Sequence, residues 1–395
     1  MEGDTNNTMR ILRVITSMNP ANGGPSQGIR NMVPALEKLG IANEIVTFDN
    51  PSDTFLHEES LTIHALGEAK NPYQYTSALN KWLETYLGKY DVVIIHGLWL
   101  YNSYGTYLSW RRYKRKSKGI APELYVMPHG MLDPWFQQAP ERKLKALRNT
   151  IVWRLFEQKV VNGADGLLFT CEEELLLART TFPGYHPKKE INIGYGVKPP
   201  PPYTEELIEH KPAQKPYFLF LSRIHPKKGT DLLIRAYMEL KTTIPDLPQL
   251  VIAGPGLDTA YGKQLAQLAE TCTSILFPGM LKGKDKWAAF YGCEAFILPS
   301  HQENFGIAIV EALACGKPVI ITDKVNIWRE IKKGGGGLVS KDTYESVFAA
   351  LKQWIEKSAL ERQTMATRAA DTYKELYAIE PAAEKFKREL SFTQS

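Results

Sequence analysis

Long hydrophobic runs are missing from this 395-residue sequence. No stretch approaches the ~20 consecutive apolar residues that a membrane-spanning helix requires, and the best run, residues 92–100, is short and contains His96. The first residues also lack the basic and apolar regions of a signal peptide. The four cysteines include no C-x-x-C pair, which argues against a disulfide framework or a zinc site. We therefore expect a soluble, cytoplasmic protein.

Strong charge of one sign is also missing, because the formal net charge is only +5. No nucleic-acid-binding module is recognisable, so we expect no nucleic-acid partner. One local cluster is strongly basic, and it is either a solvated face or, together with Trp110 and Tyr113, a surface that docks on an anionic membrane. Its cations are Arg111, Arg112, Lys114, Arg115, Lys116 and Lys118.

Several cofactor motifs are absent. Ala253-Gly254-Pro255-Gly256 follows a predicted strand, but Thr259 stands where the third glycine of a dinucleotide fingerprint belongs. There is no Walker loop, no H-E-x-x-H and no Asp-x-Asp pair to hold a metal against a diphosphate. We expect neither a cofactor nor a bound metal.

The sequence contains two stretches in which predicted strands alternate with predicted helices. Apolar strands are predicted at 10–15, 41–48, 91–95, 124–127 and 166–170, and again from residue 217 onward. Such alternation predicts two doubly wound parallel sheets in an α/β protein, with ligands beyond the carboxyl ends of the strands. The predicted organisation is a disordered tail (1–8), an N-terminal domain (9–195), a proline-rich hinge (196–215), a C-terminal domain (216–370) and a final segment (371–395).

The densest chemical signal lies between residues 299 and 319. Glu303 and Glu311 are eight positions apart, and Gly306 opens a predicted helix whose free amides favour an anion. The carboxylates would accept sugar or ribose hydroxyls, unless they are ordinary solvated side chains. A second signal is the predicted strand that ends in Arg223 and is followed by Lys228 and Gly229. Two cations there would neutralise a diphosphate, unless the loop is a plain surface turn.

The N-terminal half carries weaker signals. Gly23 and Gly24 follow the first strand and allow a ligand to approach the backbone, although a plain turn has the same composition. Two further strands end in His-Gly pairs that begin with His96 and His129.

These motifs, together with Cys315-Gly316-Lys317-Pro318-Val319, resemble glycosyltransferase family 4, a retaining, nucleotide-sugar-dependent family with the GT-B fold. The resemblance covers nearly the whole chain and implies two Rossmann-like domains facing each other across a cleft. It implies that Arg223 and Lys228 hold the donor diphosphate, that Glu303 meets the donor sugar, that Glu311 meets the ribose and that His129 lines the sugar pocket. Further donor contacts are implied for Gly23, Gly24, Gly254, Asn304, Phe305, Gly306 and Ile307. Residues 371–395 would form a helix that returns to the N-terminal domain.

Two features depart from the general pattern. The hinge usually reads Asn-Gly-Val-Asp but here has Tyr195 and Lys198 at its ends. The segments around His96 and His129 resemble a bacterial polysaccharide-synthesis branch, which implies an acceptor pocket. Its candidate residues are His96, Trp99, Tyr101 and Asp133, although buried aromatic residues after a strand are more often part of the core.

We therefore predict a metal-independent retaining hexosyltransferase that uses a UDP- or GDP-sugar and a saccharide or lipid-linked saccharide acceptor in cell-surface polysaccharide biosynthesis. Because no nucleophile with a partnered base is apparent, we expect leaving-group stabilisation rather than a covalent intermediate. Two alternatives remain, an epimerase that acts on the nucleotide sugar itself and a non-enzymatic nucleotide-sugar-binding scaffold. A lipid-linked acceptor would place the protein on the inner face of the membrane as a peripheral protein.

Overall fold

The computed structural model describes residues 9–57, 60–69, 71–139 and 142–391. The predicted tail at 1–8 lies outside these residues. The described residues divide into two compact units, of which unit 1 comprises those up to 196 and from 379 onward, and unit 2 comprises those from 197 to 378. Elements are numbered in chain order through both units.

Unit 1 is built on a seven-stranded sheet in which all neighbouring strands are parallel, in the order β3-β2-β1-β4-β5-β6-β7. Its strands are β1 (Met9–Val14), β2 (Ile41–Thr47), β3 (Thr62–Ala65), β4 (Val92–His96), β5 (Glu123–Met127), β6 (Gly166–Phe169) and β7 (Glu190–Asn192). Its helices are α1 (Gly24–Lys38), α2 (Ser77–Tyr86), α3 (Tyr101–Lys116), α4 (Trp135–Gln138), α5 (Lys143–Val152), α6 (Gln158–Gly163), α7 (Glu172–Thr181) and α16 (Ile379–Ser391), and a π-helical turn (Trp153–Glu157) joins α5 to α6.

Unit 2 contains a six-stranded parallel sheet in the order β10-β9-β8-β11-β12-β13. Its strands are β8 (Tyr217–Leu221), β9 (Gln249–Ala253), β10 (Ile275–Gly279), β11 (Ala295–Leu298), β12 (Val319–Thr322) and β13 (Gly337–Ser340). Its helices are α8 (Glu205–Glu209), α9 (Thr230–Thr243), α10 (Ala260–Ala269), α11 (Gly283–Gly292), α12 (Ile307–Ala314), α13 (Trp328–Gly334), α14 (Tyr344–Glu356) and α15 (Ala359–Thr372).

The central strands explain why both sheets are parallel and covered on both faces. Every residue of β4 and of β11 is buried, and those strands are apolar almost throughout. A strand with two apolar faces must be packed on both sides, which right-handed helical crossovers achieve. The predicted pair of doubly wound sheets is therefore confirmed.

The strand order places one functional edge in each unit. It reverses between β1 and β4 in unit 1, and between β8 and β11 in unit 2. At such switch points the loops leave in opposite directions and open a crevice for ligands. The loops after these four strands, together with the first residues of the helices that follow, contain most of the residues predicted from the sequence to form the site.

The segment predicted as a hinge is not an unattached linker. Residues 197–215 belong to unit 2, and α8 within them packs against α11. Lys284 pairs with Glu206 at 2.6 Å, and the hydroxyl of Tyr291 donates to the carbonyl of Pro201 at 2.8 Å. Local prolines break regular structure, but they do not prevent a segment from packing on a neighbouring helix.

The return to unit 1 begins at Ile379, eight residues later than the predicted boundary at 371. Residues 371–378 stay in unit 2 because a π-helical turn, Tyr373–Tyr377, packs there. The Tyr373 hydroxyl donates to the carbonyl of Val197 at 2.9 Å, and the Tyr377 ring meets that of Phe305 edge-on at 5.6 Å. From Ile379 onward, α16 packs on α1 of unit 1.

Candidate functional site

The site in unit 2 starts from the loop between β8 and α9. A short 3-10 turn, Pro226–Lys228, is capped by His225 and ends at Gly229, which adopts a left-handed conformation (φ +63°). A side chain at Gly229 would lie 2.1 Å from the carbonyl oxygen of Pro299, so only glycine lets this loop approach the loop after β11. The amide of His301 donates to the carbonyl of Lys227 at 2.9 Å, which joins the two loops.

This close approach brings Lys228 to Glu303. Their ammonium and carboxylate groups form an ion pair, and both side chains are largely buried, with 11% and 20% of their surface exposed. The Glu303 backbone is held by the loop after β12, because its amide donates to Lys324 and its carbonyl accepts from Asn326, both at 2.9 Å. Arg223, in the same loop as Lys228, is exposed. The edge of unit 2 thus offers a paired, largely buried cation and an exposed one.

Glu311 is also paired. It lies on α12, where its carboxylate accepts a hydrogen bond from Lys286 of α11 at 2.7 Å, and the Lys286 ammonium lies 4.2 Å from the Trp287 ring centroid. Burial raises the pKa of Glu311, and the Lys286 charge partly offsets this rise. Lys286 has no motif in the sequence that marks it, because its role depends on the packing of α11 against α12.

Four further predicted donor residues, Asn304 to Ile307, lie at the start of α12. Gly306 is left-handed (φ +73°) and precedes the first helical residue, Ile307. Asn304 accepts a hydrogen bond from Asn326 at 3.2 Å, and Phe305 is buried. Gly254 is explained without any ligand, since a side chain there would lie 1.8 Å from the carbonyl oxygen of Ser222.

In unit 1 a chain of hydrogen bonds runs across four neighbouring strands, from β2 through β1 and β4 to the residue after β5. Arg13 on β1 donates from Nε to Asn43 on β2 at 2.9 Å and lies 3.3 Å, Nη1 to Nε2, from His96, the last residue of β4. His96 Nδ1 lies 2.9 Å from Nε2 of His129, which follows β5. The two imidazole rings are stacked with their centroids 5.2 Å apart. The sequence analysis selected both histidines but missed Arg13.

The arginine determines which histidine nitrogens carry protons. A guanidinium can only donate hydrogen bonds, so Nε2 of His96 must accept and its proton is on Nδ1. That proton is donated to Nε2 of His129, which therefore carries its own proton on Nδ1. Burial and the Arg13 charge lower the pKa of His129 to about 3, and burial, His129 and Arg13 hold that of His96 well below its usual range. Both rings are neutral at pH 7, and burial lowers the pKa of Arg13 only to about 10.

His129 is held in a conformation that costs energy. Its φ is +53°, followed by Gly130 at +78°, and left-handed backbone at a residue other than glycine costs about 1 kcal/mol or more. Glu174 on α7 holds this turn, because one of its oxygens accepts from the Gly130 amide and the other from the amide and hydroxyl of Thr170. Glu174 was not selected from the sequence, where it is one of three consecutive glutamates at a helix start.

Gly24 lies at the first turn of α1 in open surroundings. A side chain there would meet nothing within 4 Å. Its carbonyl accepts a hydrogen bond from the buried hydroxyl of Tyr195 at 2.7 Å. Tyr195, the residue that departs from the usual hinge, therefore fixes the glycine loop. A cavity lined by Arg13, Gly28, His96, His129, Tyr195 and Phe386 lies beside it.

The candidate acceptor residues are satisfied within unit 1. The Tyr101 hydroxyl donates to Asn80 at 2.6 Å, and Asp133 accepts from the amide of Trp135 at 2.8 Å, and both residues are buried. Trp99 has a left-handed backbone (φ +74°), and its amide donates at 3.0 Å to Glu157. These contacts match the core alternative better than an open acceptor pocket.

Glu157 was missed entirely by sequence reasoning. It is fully buried in the π-helical turn, accepts from the Trp99 amide and accepts from the Ser103 hydroxyl at 2.6 Å. Burial raises its pKa to about 7, and these two hydrogen bonds oppose the rise. Through these two hydrogen bonds its carboxyl group holds the segment that connects β4 to α3.

The basic cluster lies at the end of α3 and just beyond it. Most of its cations are exposed, and Arg112 lies 3.8 Å from Glu84. Trp110 is buried and donates from its ring nitrogen to Pro122 at 2.7 Å, so it offers no aromatic side chain to a membrane. None of the helices among the described residues has the length and apolar character needed to cross a bilayer.

Comparison with known proteins identifies similarity in both halves of the chain. Residues 204–372 match the family model described as glycosyl transferases group 1, and residues 23–188 match that of a glycosyl transferase 4-like domain. Two proteins named D-inositol 3-phosphate glycosyltransferase are similar in sequence. The one from Kineococcus radiotolerans is 30% identical over 54% of this chain and 54% of its own, and the one from Thermobispora bispora is 26% identical over 80% and 78%. The match thus spans about half the length of the Kineococcus protein.

Solved structures share the fold over nearly the whole chain. Sucrose-phosphate synthase from Thermosynechococcus elongatus has a TM-score of 0.72 at 18% identity, covering 98% of this chain and all of its own. The Anabaena protein HepE, solved in complex with UDP-glucose, has a TM-score of 0.68 at 17% identity and covers 97% of this chain and all of its own. At these identities the likeness establishes the architecture.

Proposed function

The chain belongs to the group 1 glycosyltransferases, and from that premise we propose that it transfers a hexose, with retention, from a UDP- or GDP-sugar to a saccharide or lipid-linked saccharide of the cell surface. The observation that supports this most directly is the edge of unit 2, where Arg223, Lys228, Glu303 and the start of α12 lie at the switch point of the sheet. The HepE complexes with UDP and UDP-glucose favour a uridine donor.

In the proposed reaction unit 2 stabilises the departing diphosphate. Lys228 and Arg223 would contact its oxygens, and the amides at Gly306 and Ile307 would add donors where negative charge grows. Lys228 already pairs with Glu303, so the donor diphosphate would share the Lys228 ammonium group with this carboxylate. An oxygen of Glu303 would then be available to accept hydrogen bonds from the sugar hydroxyls. Glu311, next to Lys286, is the proposed ribose contact.

We assign the sugar-facing role in unit 1 to Gly24 and His129. The open space beside Gly24 leaves room for a ligand at the backbone. The neutral His129 presents an Nδ1–H that donates to a sugar oxygen, and the chain through His96 to Arg13 keeps the proton on that nitrogen. Gly23 starts the helix that carries Gly24.

The chemistry follows a front-face path. The bond between the anomeric carbon and the diphosphate oxygen breaks, and its electron pair stays on that oxygen. The acceptor hydroxyl bonds to the anomeric carbon on the same face and gives its proton to the leaving phosphate oxygen. Retention results without a protein nucleophile, and no step requires a metal.

Calorimetry and thermal unfolding with UDP- and GDP-sugars, each with and without EDTA, test the proposal. We expect one donor to raise the melting temperature regardless of EDTA, and Lys228→Ala and Arg223→Ala to abolish the effect. The matched control is Lys263→Ala, which removes an exposed lysine of α10 that is not among the predicted site residues. Failure of every nucleotide sugar to bind would refute the transferase proposal, and turnover of a donor without any acceptor would favour the epimerase alternative.

Attachment to the inner face of a membrane is a further part of the proposal, because a lipid-linked acceptor resides there. The basic cluster at the end of α3, called the α3 cluster below, supplies charge for such attachment through its exposed cations, among them Arg111, Arg115, Lys116 and Lys118. Charge alone gives about 1 kcal/mol per cation near an anionic surface, and the attraction is screened by salt.

A further inference from the structure

Helix α5 and the turn after it expose an apolar stripe. Four large side chains recur at spacings of three, four and four residues, which places them on one face of the helix. Their exposed fractions are 85% for Leu144, 60% for Leu147, 50% for Ile151 and 52% for Leu155. A single exposed leucine is ordinary, but four along one face form a contiguous patch of the kind that marks an interaction site.

The opposite face of the same helix is firmly packed. Trp153 and Glu157 are fully buried, and Asn149 is 4% exposed. The Trp153 ring stacks on Phe182 with centroids 4.7 Å apart, and its nitrogen donates to the carbonyl of Pro183 at 3.0 Å. The helix therefore cannot roll to bury the stripe without losing this packing, so the stripe is a fixed outer surface of unit 1.

Cations border the stripe on both sides. In helical projection Lys143 and Arg154 fall on one edge and Arg148 and Lys159 on the other, with Lys145 beyond. All five are exposed, and none has an ion-pair partner within the part of the chain that the structure describes. Between residues 142 and 159 the sequence has one acidic residue, the buried Glu157.

We propose that this surface, the α5 stripe with its bordering cations, lies flat in the interface of a membrane that contains anionic lipids. An apolar strip inserted at the boundary of headgroups and acyl chains, with lysine and arginine side chains extending to the phosphates, is the arrangement of an interfacial helix. Five like charges around the strip oppose its pairing with a second copy of itself.

The α3 cluster differs from this surface in one respect. It has charge but no comparable apolar stripe, since Trp110 is buried beneath it. Its attraction would be electrostatic only and would vanish at high salt. For α5, salt screens only the part of the attraction that comes from its five cations, and the part that comes from removing apolar surface from water is retained. The two surfaces can therefore be separated by experiment.

Flotation of the full chain with vesicles tests the proposal. We expect binding to vesicles of phosphatidylcholine with phosphatidylglycerol, and much weaker binding to phosphatidylcholine alone. The double variant L147S/I151S should bind more than about tenfold more weakly, since each lost methylene removes favourable insertion energy. The matched control is L360S, a change at a leucine 76% exposed on α15 of unit 2, and it should bind as wild type does.

Charge variants complete the test. K145Q/R148Q should weaken binding by about fivefold for each charge, and salt should reproduce the effect. Far-ultraviolet circular dichroism confirms that each variant folds, and L144Q replaces the double variant if it does not. Three results with vesicles would overturn the proposal: no binding to anionic vesicles, equal binding by L147S/I151S, or loss of binding in R115Q/K116Q alone. A dimer in sedimentation that I151S abolishes would instead make the stripe a self-association surface, and would also overturn it.

Discussion

The two functional edges lie at equivalent points of two similar sheets, yet they handle buried ionisable groups in opposite ways. Unit 1 keeps His96, His129 and Glu157 at pKa values that favour their neutral forms, through burial and hydrogen bonds. Unit 2 instead places each group beside one of opposite charge, Lys228 with Glu303 and Lys286 with Glu311. A neutral donor selects hydroxyl and other polar oxygens, whereas a cation held by a carboxylate is available to a stronger anion.

The physical reason lies in what surrounds each edge. In unit 1 the groups sit among apolar side chains, where an unpaired charge is expensive and protonation adjusts to avoid it. In unit 2 each lysine has a carboxylate within reach on a neighbouring element, so each charge is offset by a partner. We therefore expect properties of unit 1, such as its stability, to depend on pH, and the activity of unit 2 to depend on substitutions that remove a charge.

The largest effect is expected for Lys228→Met. The change removes the cation at the departing diphosphate and leaves Glu303 unpaired, where its charge repels the donor. We expect kcat to fall about 10²–10³-fold, the size of the loss of one preorganised charge stabiliser. Steady-state kinetics with the donor found by calorimetry measures it, and Lys263→Met is the control. Activity within a few-fold of wild type would refute the assignment of Lys228.

Glu157→Gln should change the pH dependence of stability. The pKa of Glu157 is raised from 4.5 to about 7 in the folded chain. Between these values the unfolded state releases a proton that the folded state keeps, so stability is full below pH 4.5 and falls as pH rises through 7. The loss is on the order of 3 kcal/mol at pH 8. Glutamine cannot ionise, so the variant should be more stable than wild type at pH 8.

Urea unfolding at acidic and alkaline pH provides the measurement for Glu157. The matched control is Glu172→Gln, at an exposed position at the start of α7, which should follow the wild-type curve. If wild type and Glu157→Gln lose the same free energy of unfolding between the two pH values, the carboxyl group is not held neutral, and the comparison between the two units fails.

Arg13→Gln should release the protonation pattern of the histidines. An amide can donate or accept, so Nε2 of His96 is no longer forced to accept, and the pKa values of both rings should rise because a positive charge is lost. We expect nitrogen NMR to detect the proton of His129 on Nδ1 in wild type and a mixture of the Nδ1–H and Nε2–H tautomers in the variant, with kcat about tenfold lower. Arg10→Gln, on the same strand but paired with Glu44 at the surface, is the control. An unchanged NMR pattern would contradict the role of Arg13.

Gly24→Ala should have the smallest effect on the fold. Its side chain would meet nothing, although alanine before Pro25 is slightly disfavoured in helical backbone, so the free energy of unfolding should change by less than about 1 kcal/mol. Donor affinity should nevertheless fall about tenfold if a ligand approaches there. Gly28→Ala on the same helix should instead destabilise the fold, since its side chain would lie 2.4 Å from the Tyr195 hydroxyl. Unchanged affinity in Gly24→Ala would remove Gly24 from the site.

The sequence by itself determined the architecture of two parallel sheets, because buried parallel strands require apolar runs and the helices that join them alternate with those runs. It also marked the motifs at the strand ends, since glycines and charged residues after a strand keep a local signature. The roles of four residues could not be predicted from it, because their hydrogen-bond partners are distant in sequence: Arg13, Glu157, Glu174 and Lys286. Only the tertiary structure decides which of the many buried or charged side chains are in contact, and their pKa values follow from those contacts and from burial.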